Sequence, residues 1–177
     1  LSHAPGLGER AVRVKFFGVR GSIASAREAT RRYGGNTSCV LVEVGDSRIV
    51  FDAGTGIRPL GEALLAQGKA GRVDLFLSHL HWDHIQGFPF FGPAFVPGHR
   101  VVVHRVRPEA GQPDVRSVFE DQMRAPTFPV GLEVMGADLR FVDLEPQQEV
   151  LVGRALVRNV LVDHPNGCAA YRVDAGA

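Results

Sequence analysis

The chain reads as one mixed α/β (α+β) domain spanning residues 1–177. Three observations predict this. Short apolar segments, alternating or continuous, recur at residues 12–17, 38–44, 48–51, 73–77, 100–104, 139–144, 155–162 and 168–173. A stretch with helical spacing at 57–67 and a short helix at 114–124, after Pro113, lie among them. Directly after the apolar segment 73–77 come His79, His81, Asp83 and His84, where α/β folds place their chemistry.

Length and composition set the frame. A chain of 177 residues, 45% hydrophobic and 22% charged, can bury an ordinary globular core. A net charge of +1 gives no field that would gather nucleic acid or an anionic membrane. No apolar run is long enough to span a bilayer, and residues 1–10 do not read as a signal peptide, so a cytoplasmic protein is expected. Cys39 and Cys168 fall on expected strands far apart and are read as small core residues, neither a disulfide nor metal ligands. Asn36-Thr37-Ser38 fits a glycosylation sequon but reads as a turn without a secretory signal.

In chain order, the first strand (12–17) ends in the glycine-punctuated loop 18–22, and residues 24–32 are loop or a helical turn. Strands 38–44 and 48–51 flank Gly45-Asp46, a two-residue hairpin turn that implies antiparallel pairing. The small residues at 52–56 could cradle a phosphate, but they lack the Gly-Lys-Ser/Thr of a phosphate loop and read better as a turn. Ile57, Leu60, Leu64 and Leu65 share one face of the first helix, which Gly68 stops. Residues 87–97 are rich in Phe and Pro, which excludes a long regular element and suits either a packed surface loop or the wall of a pocket beside the histidine cluster. His104 is read as a strand residue, not a ligand. Asp163-His164 repeats the pattern of a strand followed by a ligand-type side chain.

A lone histidine after a strand is usually a satisfied polar group. Four ligand-type side chains in six residues are not explained by solvation or packing, and they suit two adjacent metals better than one.

The spacing His-x-His-x-Asp-His at 79–84 resembles the metal-binding motif of metallo-β-lactamase-fold hydrolases. The resemblance extends to residues 15–22, 33–39, 51–56 and 78–91, in that order, and to Asp163-His164 with Tyr171 downstream. Together these are similar to the branch that includes ribonuclease Z and phosphodiesterase-type hydrolases, over roughly residues 12–173. The resemblance implies a four-layer αββα sandwich. It implies that His79, His81 and His164 hold one metal, and that Asp83 and His84 contribute to a second. Asp52 would be the buried carboxylate bracing the ligand loop. The metal would be zinc, one or two ions, with manganese or iron as alternatives.

The family pattern continues with a bridging aspartate and a last histidine, for which Asp174 is not a convincing stand-in. The sandwich is therefore expected to be truncated at its C-terminal end, leaving sheet surface uncovered. A fragment of a longer protein, a chain completed by assembly (a homo-oligomer included) and a degenerate relative are the three explanations, the first being preferred. The expected activity is metal-dependent hydrolysis of a small or generic phosphodiester. Asp83 would hold metal and take the proton of the attacking water. A lactonase, thioesterase or β-lactamase of the same fold, or a non-catalytic metal-binding module, are the alternatives. No basic arm of the kind ribonuclease Z uses to hold its RNA is evident.

Overall fold

The structure, a computed structural model, describes residues 12–107 and 111–176. Residues 1–10, read above for a leader, and Ala177 lie outside the described residues. Three strands open the chain: β1 (Val12–Gly18), β2 (Cys39–Val44) and β3 (Ser47–Phe51). β2 and β3 pair antiparallel across the expected tight turn, with Val44 opposite Ser47, and β1 adds antiparallel to β2. Helix α1 (Ile57–Leu65) then crosses the sheet and returns the chain as β4 (Arg72–Leu77), parallel to β3. β5 (Arg100–Val106) and β6 (Asp138–Leu144) extend the sheet in parallel, giving the order β1-β2-β3-β4-β5-β6. Between them lies α3 (Val115–Gln122), which starts where Asp114 accepts a hydrogen bond from the Ser117 N–H. A short α2 (Trp82–Ile85) follows β4. A separate antiparallel sheet holds β7 (Val150–Val152), β8 (Ala155–Val162) and β9 (Cys168–Ala175).

Strand alternation sorts the core into two compartments. Leu75, Leu77, Val101 and Val103 face α1 and α3, meeting Ile57, Leu60, Leu64, Val115 and Phe119. Val42, Ile49, Phe76, Val106 and Leu144 face the second sheet, meeting Val152, Ala155, Val157 and Ala169. The result is a helix–sheet–sheet stack, the mixed α/β architecture the sequence predicts. Among the described residues no helix covers the outer face of the second sheet, where Leu151, Val160 and Val162 are exposed. Val12, Val14 and Phe16, on the same side as Val44, Val42 and Val40, are exposed as well. This matches the uncovered sheet surface expected from the sequence.

The Phe/Pro stretch is mainly a packed loop, and the cavity it does line holds none of the candidate metal ligands. It forms two 3-10 turns, Phe88–Phe90 and Gly92–Phe95. Phe88 and Phe91 are buried in the core, while Phe90 is exposed and lines a cavity with Trp82. The 52–56 turn serves as packing, not as an anion cradle. The N–H groups of Gly54 and Gly56 donate to Ser38 and Thr37 carbonyls, and the Ala53 N–H donates to the His84 carbonyl (2.7 Å). A Cβ on Gly54 would lie 2.4 Å from the Asp83 carbonyl oxygen, so only glycine lets this turn brace the histidine loop.

Candidate metal centre

β4 is a buried parallel strand, and its end delivers the histidine loop to the rim of the sheet. His79 and His81 lie in the extended segment before α2, while Asp83 and His84 lie within that single helical turn. His164 comes from the turn between β8 and β9, in the other sheet. One ligand atom from each of His79, His81 and His164 lies within 4.8 Å of the others. His164 Nε2 and His81 Nδ1 are 3.3 Å apart. Nitrogens around a tetrahedral zinc, each about 2.0–2.1 Å from it, sit roughly 3.4 Å from one another, so the donor set fits that ion. Burial and the neighbouring His84 and His81 push the His79 pKa down to about 4. That keeps the imidazole neutral, the state that can ligate metal.

Asp52 sits beneath this loop with its backbone in the left-handed region (φ 63), a conformation that costs a non-glycine residue energy. Its carboxylate is buried and fully engaged. Oδ1 accepts from the Ser78 N–H and Ser78 Oγ (both 2.8 Å). Oδ2 accepts from Ser38 Oγ (2.8 Å) and from His84 Nδ1–H (2.7 Å). Holding the proton on Nδ1 leaves the His84 Nε2 lone pair outward, 3.4 Å from Asp83 Oδ2. Burial would lower the His84 pKa, but the Asp52 carboxylate outweighs it and raises it. Asp83 Oδ2 also accepts from the Ser22 N–H (2.8 Å). Burial raises the Asp83 pKa, and this hydrogen bond with the adjacent imidazoles more than reverses it.

The residues singled out in the sequence thus fall into two groups. His79, His81 and His164 converge across the two sheets. Asp83 and His84 lie together beside them, and among the described residues no third carboxylate, cysteine or histidine joins that pair. Asp174 is bonded to Arg158 and Arg172 on β8 and β9 instead. His104 is buried against Asp74 (3.0 Å), away from the centre. Sequence reasoning placed Ser38 and Ser78 inside the resembling stretches 33–39 and 78–91 but missed their role, which only their approach to Asp52 shows. It also placed Cys168 in the core. Cys168 is half-buried, with Sγ 3.9 Å from His79 Nδ1, because it opens β9 at the end nearest the loop. Its position four residues after His164 was the available clue. Tyr171 is tied to the same junction, its hydroxyl donating to the Leu77 carbonyl (2.7 Å).

Comparisons with known proteins agree with this geometry. Residues 32–168 match the metallo-beta-lactamase superfamily. A ribonuclease Z from Natronomonas pharaonis is 30% identical over 121 residues, covering 67% of this chain and 36% of that protein. A ribonuclease Z from Haloarcula marismortui is 25% identical over 128 residues, covering 71% and 38%. Among solved structures, the metallo-beta-lactamase fold protein YhfI from Bacillus subtilis superposes with a TM-score of 0.65 at 20% identity, over 94% of this chain and 60% of that one. A diphosphatase of the PhnP family gives 0.61 at 16% identity, over 92% and 62%. The chain therefore spans a little over a third of these curated relatives and about three fifths of these structures. The superfamily consists largely of metal-dependent hydrolases, and its fold implies divalent-metal binding. With the matched segment covering most of the sequence and the three imidazoles converging at the expected strand ends, this chain belongs to the metallo-beta-lactamase superfamily.

Proposed function

We propose that this chain is the metal-binding part of a hydrolase acting on phosphodiester bonds. The observation that carries the reading is the convergence of His79, His81 and His164 with Asp83 and His84 alongside. The similarity to ribonucleases Z directs it to phosphodiesters. A zinc or manganese ion held by these imidazoles would supply Lewis acidity toward a phosphoryl oxygen and lower the pKa of a bound water. The chain's own residues do the rest. Asp52 and Ser78 fix the imidazole orientations. Asp83, anchored by the Ser22 N–H, lies where it can orient the attacking water and receive its proton.

The test is turnover of an aryl phosphodiester by zinc- or manganese-loaded protein. His81→Ala should lose at least about 100-fold, as removal of a metal ligand does. No turnover, or turnover unchanged by His81→Ala, sinks the reading. A second reading, a metal-binding module without catalysis, draws on the Asp83–His84 pair having no third ligand among the described residues. Metal stoichiometry separates the two: two ions per chain support the hydrolase, one supports the module.

A further inference from the structure

Arg105, the penultimate residue of β5, lies on the face that carries Val101 and Val103, and it is 5% exposed. A guanidinium keeps its proton in any protein environment, so a buried arginine carries a full positive charge that needs an anion or a dense set of acceptors. Among the described residues Arg105 has only neutral ones. Nη1 donates to the Pro113 carbonyl (2.8 Å) and Nη2 to Gln112 Oε1. The nearby carboxylate of Asp143 is engaged elsewhere, accepting from Arg107 Nη2 (2.7 Å) and from the Val115 N–H. The remaining guanidinium N–H groups have no partner among the described residues.

Arg105 also lines a cavity of about 350 Å³ whose walls include Ser78, His79, His81, Gln112 and Asn166. One wall of this cavity is therefore the histidine loop, and another is the turn that carries His164. A buried fork of donors with no carboxylate bonded to it among the described residues, beside a cluster of imidazoles, suits a tetrahedral oxyanion, which can accept two parallel N–H bonds.

We propose that Arg105 is an anion-binding residue that seats a phosphate group of the substrate in this cavity, next to the metal centre. The word substrate rests on the hydrolase reading above; the anion site rests on the Arg105 geometry. Arg105 would position the phosphate and offset its charge without exchanging a proton.

The experiment titrates EDTA-treated, metal-free protein with inorganic phosphate alone at pH 8, followed by ³¹P NMR and calorimetry, with acetate as the contrasting anion. Wild type should bind one phosphate per chain saturably and prefer it to acetate. Arg105→Met should weaken binding by roughly tenfold or more, the loss of one charge-assisted interaction. Arg105→Lys keeps the charge and the aliphatic stem but not the fork, and should weaken binding by a few-fold while melting like wild type. Absence of phosphate binding in wild type overturns the proposal. So does acetate binding as tight as phosphate, or binding by Arg105→Lys indistinguishable from wild type. The last comparison stands even where Arg105→Met does not fold. Arg105-dependent phosphate binding without diester turnover by the metal-loaded protein keeps the anion site and removes the hydrolase reading. Turnover without such binding does the reverse.

Discussion

Replacing Asp52 by Asn keeps the shape of the side chain and inverts half of its hydrogen bonding. The carboxylate accepts four bonds, two of them from N–H groups: Ser78 N–H at Oδ1 and His84 Nδ1–H at Oδ2. The hydroxyls of Ser38 and Ser78 can rotate to meet an amide; the two N–H groups cannot. An asparagine offers one oxygen, so one N–H must face an NH₂. The lower-energy escape is a change of His84 tautomer, with Nδ1 accepting from the amide and the proton moving to Nε2. That proton would occupy the lone pair directed toward Asp83. A hydrogen bond to a charged group contributes about 1.5–3 kcal/mol, and these four share one acceptor and do not add, so a loss of about 2–3 kcal/mol is expected. Loss of such a supporting contact typically weakens metal binding by about 10–100-fold. Urea unfolding of zinc-free protein measures the first quantity, and zinc titration against a competing chelator the second. ¹⁵N shifts of the His84 ring report the tautomer. Asp52→Asn protein that retains the Nδ1–H tautomer, wild-type zinc affinity and the wild-type urea midpoint would refute the reasoning.

Two further outcomes can be measured. Gly54→Ala places a Cβ 2.4 Å from both the Asp83 carbonyl oxygen and Thr37 Oγ1, so overpacking should cost about 1–3 kcal/mol and weaken zinc binding; an unchanged unfolding midpoint would discredit the brace. Asp74 is buried between Arg72 (2.7 Å) and His104 (3.0 Å). Burial raises its pKa, but those two partners overcome this and hold it below 3.8. The stability it contributes is present at neutral pH and is lost as pH falls through 3.8 toward the depressed native value. Asp74→Asn should therefore lower stability at pH 7 by roughly 3 kcal/mol, discounted because Arg72 is half-exposed, and flatten the decline between pH 5 and 3. An equal acid slope in both proteins would show that Asp74 plays no part in it.

What could be read from the sequence follows the range of the forces involved. The Gly45-Asp46 hairpin and the α1 face of Ile57, Leu60 and Leu64 are local, and the spacing of side chains along the chain displays them. The histidine loop is also local, so its residues were found. β7 was not, because three residues are too few to show a period and its register depends on β8. The support around the centre is likewise tertiary. Ser38 and Ser78 are unremarkable serines until β2 and β4 bring them to Asp52. Arg105 sits in an apolar run, where nothing local distinguishes a buried charge from a snorkelling one. Cys168 has the chemistry of a core residue, and only the start of β9 puts its sulfur behind His79.

The convergence of His81 with His164 joins positions 83 residues apart in the chain, one on each sheet. Closing so long a loop carries an entropic cost that grows only logarithmically with its length, and it must be met before the imidazoles can share an ion. The packing of Phe76, Val106 and Leu144 against Val157 and Ala169 meets it, not the metal. The centre is therefore a record of assembly: a chain whose β7–β9 unit has not docked has no complete ligand set to offer. An ion held by all three imidazoles would therefore favour the docked form over any in which β7–β9 lies apart.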